Sequence, residues 1–97
     1  MNEVINGIVP DIIVPDVFVD MGYSGWPKFK DLANWLNYQL HISIDIRPFP
    51  DTRSDKGYYA YVRKYDRGNV KQHYTIEAPT RKEVIIKAIN KAKEIAL

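Results

Sequence analysis

Three stretches alternate between apolar and polar positions with the period of two that half-buried strands require. Between Leu40 and Phe49, Ile42, Ile44 and Ile46 fall on one face, with Ser43, Asp45 and Arg47 on the other. Over Tyr58–Tyr65, Ala60 and Val62 share the apolar side with Tyr58, leaving Tyr59, Tyr61, Arg63 and Tyr65 opposite. Over Lys71–Ala78, Tyr74 and Ile76 face the core, against Lys71, His73, Thr75 and Glu77. Asp66-Arg67-Gly68-Asn69 predicts a tight hairpin between the second and third strands, with Gly68 available for positive φ. Pro48 and Pro50 end the first strand, and residues 50–57 carry polar turn chemistry.

Two segments change to the 3.6-residue period. From Lys28 to about Leu40, Phe29, Leu32, Ala33, Leu36 and Leu40 form one stripe, with Trp35 at its flank and Pro27 suited to the first helical position. After Pro79, Thr80-Arg81-Lys82-Glu83 spells a capping box, and Ile85, Ala88, Ile89, Ala92 and Ala96 make the inner stripe of a last helix. Ile86 falls off that stripe, which leaves it exposed, covered by the N-terminal segment, or in an interface. The fold class predicted is α+β, a three-stranded antiparallel sheet with two helices on one face in the order α-β-β-β-α.

The lead segment follows neither period. Residues 4–20 are apolar but broken by Pro10-Asp11 and Pro15-Asp16, a pattern that excludes a helix and a central strand and predicts extended packing or a short edge strand. Its side chains, Ile12, Val14, Val17 and Phe18 among them, must cover either this chain or a partner, so with Ile86 they are the candidate interface. Met21–Trp26 reads as a loop, and its Gly-x-x-Gly spacing lacks the Lys-Ser or Lys-Thr of a phosphate loop. The chain therefore divides into residues 1–26, an extended segment, and residues 27–97, a single α-β-β-β-α domain.

Ninety-seven residues, 45% hydrophobic and 27% charged, suffice for one modest core. No cysteine is present, which rules out disulfides and thiolate chemistry. No apolar run reaches the roughly 18 residues of a membrane span, and the first twenty residues hold no Lys or Arg. The expectation is a cytoplasmic protein without a membrane partner. The net charge of +2 is uneven: Glu3, Asp11, Asp16 and Asp20 are unmatched by any base in residues 1–26, and all 14 Lys and Arg come after them.

The order α-β-β-β-α resembles that of the double-stranded-RNA-binding domain over about residues 27–97. The chain departs from that family at its RNA-contacting motifs. Residues 49–57 hold no His of the Gly-Pro-x-His type, and Arg81-Lys82-Glu83-Val84-Ile85 replaces a lysine cluster. Trp35-Leu36, the His41–Ile44 run, an aromatic hairpin and the Thr80–Ala92 helix also resemble short proteins of Bacteroides-type bacteria, their phages and mobile elements. That resemblance implies the same arrangement and no established activity.

Candidate chemistry is sparse. His41 and His73 with Asp45 lack a third strong metal ligand, and no nucleophile or carboxylate pair has a catalytic setting. The expectation is a non-enzymatic module without cofactor or metal. Arg47, Tyr59, Tyr61, Arg63, Tyr65, Lys71 and His73 gather on the sheet face away from the helices. That face reads as structural surface, as a contact for a protein partner or second copy, or as a single-stranded nucleic-acid platform. Protein contact or homodimerisation is the functional expectation, and nucleic-acid binding the alternative.

Overall fold

The structure, a computed structural model, describes residues 11–49 and 57–96. The first ten residues, Leu97, and all but Gly57 of the polar loop expected at 50–57 lie outside that range. The elements run α1 Asp16–Asp20, α2 Phe29–Trp35, a π-helical turn Leu36–Leu40, β1 Ile42–Pro48, β2 Tyr58–Asp66, β3 Asn69–Ala78 and α3 Arg81–Ala96. The strands form one antiparallel sheet in the order β1-β2-β3. The α+β architecture is thus as the periodicities predict. Among the described residues no helix is long and apolar enough to cross a membrane.

Alternation fixes the register. Ile44 lies opposite Val62 and Val62 opposite Tyr74, while Ile46, Ala60 and Ile76 form the next row of the same face. Leu32 and Leu36 pack on this face with Val84, Ala88 and Ala92 of α3 in one buried cluster. The small Ala88 and Ala92, both fully buried, bring α3 close to the strands. Lys64, on the same face, lays its stem under α3 and donates from Nζ to the Ile95 carbonyl at 2.8 Å. Thr80 Oγ1 accepts from the Glu83 N–H at 3.1 Å, the backbone half of the expected capping box.

Residues 11–26 differ from the expectation. A helix, α1, follows Pro15, where none is expected. Pro15 occupies the N-cap with φ −58°; its carbonyl accepts the first bond of the turn, from the Phe18 N–H at 3.0 Å, and an N-cap residue needs no N–H of its own, so proline removes no helical bond. The Pro-Asp pair therefore starts a one-turn helix instead of forbidding it. A smaller difference concerns Pro27, which lies one residue before the N-cap Lys28 rather than inside the helix. Cap duty falls to a distant residue: the Phe29 N–H donates to Asp11 Oδ1 at 2.8 Å, and the Asp11 N–H to the Pro27 carbonyl at 3.1 Å.

These bonds bind the lead segment to the domain. Val14 and Phe18 are 1% and 0% exposed, and Ile12 is buried with them in the main cluster. Trp35 receives Phe18 and Tyr23 edge-on, at ring separations of 5.9 and 5.5 Å. The Tyr23 hydroxyl donates to the Trp26 carbonyl. Burial pushes the Tyr23 phenol up to about 12, with the carboxylates of Asp31 and Asp11 adding to the rise.

Candidate functional site

The face of the sheet turned away from the helices is built in cross-strand rows. Arg47, Tyr59 and Glu77 form one row, Asp45, Tyr61 and Thr75 the next, and Ser43, Arg63 and His73 the third. Among the described residues, neither helix nor lead segment packs on this side, since their buried residues all belong to the opposite cluster. Ring packing ties the rows together. Phe49 lies 5.1 Å from Tyr59, Tyr59 lies 5.3 Å from Tyr61, and Tyr61 lies 5.3 Å from His73. The Arg63 guanidinium sits 4.8 Å above the Tyr61 ring and donates from Nε to His73 Nδ1 at 3.1 Å. That bond requires an unprotonated Nδ1, which places the proton of a neutral imidazole on Nε2, 3.5 Å from Thr75 Oγ1.

Five of the seven expected residues, Arg47, Tyr59, Tyr61, Arg63 and His73, stand together in these rows. Tyr65 and Lys71 sit at the hairpin end, where the register slips: Lys64 pairs with Gln72 but Tyr65 with Val70, so Lys71 is the extra residue of a bulge. Phe49 extends the ring series beyond Pro48 and was open to detection, since the alternation of 43, 45 and 47 carries on to it.

Acids stand beside two of the bases on or near this face. Arg47 Nε donates to Asp45 Oδ2 at 3.0 Å, Lys71 Nζ lies 3.9 Å from Asp66 Oδ2, and Glu77 shares the row of Arg47. These acids do not feature among the sequence candidates, which select bases and aromatics only.

The five candidate interface residues separate. Ile12, Val14 and Phe18 are buried within this chain, Val17 is half-buried against the same cluster, and Ile86 is 48% exposed. His41 takes a left-handed φ of 57° at the end of the π-helical turn, and its carbonyl accepts from the Tyr65 N–H. No three His, Cys, Asp or Glu side chains converge among the described residues. No protein family, curated protein or solved structure matches this chain.

Proposed function

We propose that this chain is a small non-enzymatic interaction module that makes protein contacts through its open sheet face. The observation that carries this reading is a tight aromatic series among charges of both signs. Tyr and Arg are the side chains that anchor protein interfaces, and here Tyr59, Tyr61 and Arg63 hold one another in place before any partner arrives. Asp45 and Glu77 lie among Arg47 and Arg63 in the cross-strand rows, and Asp66 stands near Lys71 at the hairpin end, so the face carries both signs of charge and does not strongly repel a copy of itself.

Size sets the strength. Three strands of 7 to 10 residues project a face of about 400 Å² at ~3.3 Å per residue and ~4.8 Å between strands. A standard interface buries roughly 800 Å² per partner, so this contact belongs to the weak, transient class. A second copy is the first partner to test. In an NMR concentration series, amide shifts should move in β1–β3 on residues of the Tyr59–Tyr61–Arg63 face, and the double variant Tyr61→Ala/Arg63→Ala should abolish the movement. Shifts that stay fixed at every concentration would remove self-contact.

The ring series supports a second reading, a platform for single-stranded nucleic acid. Neighbouring acids weaken it, because Asp45 beside Arg47 and Asp66 beside Lys71 lower the positive potential that a phosphate would meet. Salt-sensitive anisotropy with labelled single-stranded RNA or DNA, lost in the same double variant, would put this reading first.

A further inference from the structure

On the opposite side of the molecule, the extended residues 11–15 run beside α3 and leave a groove of about 720 Å³ between them. Ile12, Ile85 and Ile89 are the buried parts of its lining, while Ile13 and Ile86 are 78% and 48% exposed. Arg81, Lys82 and Lys93 stand around it, and none of the three forms an ion pair with another described residue. Asp11 is the one acid in the lining, and its Oδ1 already accepts the Phe29 N–H. The groove is thus apolar in its walls and cationic at its rim.

We infer that this groove is a docking site for an acidic amphipathic helix of a partner protein. Three observations select that occupant. Charge complementarity calls for acids flanking the apolar stripe, to meet Arg81, Lys82 and Lys93. Length fits: from Arg81 to Lys93, α3 runs for about 18 Å at 1.5 Å per residue, room for the ~10 Å between anchors at i and i+7 of a docked helix. Main-chain chemistry favours a helix laid along α3, because that wall has its backbone bonded internally and offers no ladder to a strand. A partner seated on it satisfies its own backbone, as a helix does. The long helix of a second copy does not qualify, since α3 carries five bases against Glu83 and Glu94 and would meet like charge.

The test is selection of a displayed library of helical peptides about 16 residues long, with apolar and flanking positions randomised, against the immobilised full chain. Enriched peptides should carry aliphatic residues at i, i+3 or i+4, and i+7 with Asp or Glu beside them. A synthetic copy of the most enriched peptide should bind about tenfold or more weakly to Ile86→Asp and to Ile13→Asp. Both substitutions are at exposed positions, so unchanged thermal melts would show that the fold is kept. The double reversal Lys82→Glu/Lys93→Glu should weaken the same peptide and favour its Lys-flanked counterpart. Failure to enrich any peptide, enrichment of basic peptides, or binding indifferent to Ile86 and Ile13 would each overturn the proposal. Because none of these residues lies on the sheet, the Tyr61→Ala/Arg63→Ala variant should bind the peptide normally.

Discussion

Tyr23 shows how much a single side chain can tie together in this molecule. Its ring packs on Trp35, its hydroxyl donates to the Trp26 carbonyl, and its phenol is pushed up to about 12 from 10.0. A raised phenol pKa favours the protonated, folded form. The stability it confers is complete below pH 10 and is lost as the pH climbs from 10 to about 12. Alkaline denaturation should steepen over that window, and Tyr23→Phe should flatten it while lowering stability near neutrality by about 1 kcal/mol for the lost hydrogen bond. A profile identical in the two proteins would disconnect Tyr23 from the alkaline transition. Two glycines call for unequal outcomes. A Cβ on Gly57, at φ +83°, would collide with the Ala78 and Pro79 carbonyl oxygens, whereas one on Gly68, at φ +82°, meets nothing within 4 Å. Gly68→Ala should therefore cost about 1 kcal/mol of conformational strain, and Gly57→Ala clearly more, as read from urea midpoints.

Among the elements, the lead segment holds the most consequence for its size. Phe18 is fully buried and packs edge-on to Trp35, so Phe18→Ala should lower stability by about 3–5 kcal/mol in a denaturant titration. A loss under about 1 kcal/mol would mean that residues 11–26 are an appendage. The sequence makes strands and the last helix legible because the rule for each is local: side chains alternate, Gly68 permits the turn, and Thr80 caps. The hairpin closes on a two-residue turn, with Arg67 as well as Gly68 at positive φ. Around Pro15, the local rule misleads. A proline at an N-cap and one inside a helix look alike until the following turn is seen to be packed by Phe18. Likewise the cap supplied by Asp11 to Phe29 spans 18 residues and follows no spacing rule. The rows of the open face are legible for the same reason as the strands, Asp45 and Glu77 included, whereas the approach of Asp66 to Lys71 depends on how the turn closes.

For the whole molecule, the sheet has one covered side and one side that the described helices leave open. The covered side holds the core, and the groove beside α3 lies on that half of the fold. The open side carries a series of mutually packed rings and two charge pairs, over an area too small for a permanent interface. On those properties rests the proposal of brief contacts with protein surfaces. Sedimentation equilibrium on the wild type and the Tyr61→Ala/Arg63→Ala variant tests this most directly. The wild-type mass should rise with concentration from 11.3 kDa toward twice that value, while the variant, equally folded by its melting curve, should remain at 11.3 kDa. Two monomers at every concentration, or two proteins that associate equally, would contradict self-contact through the open sheet face.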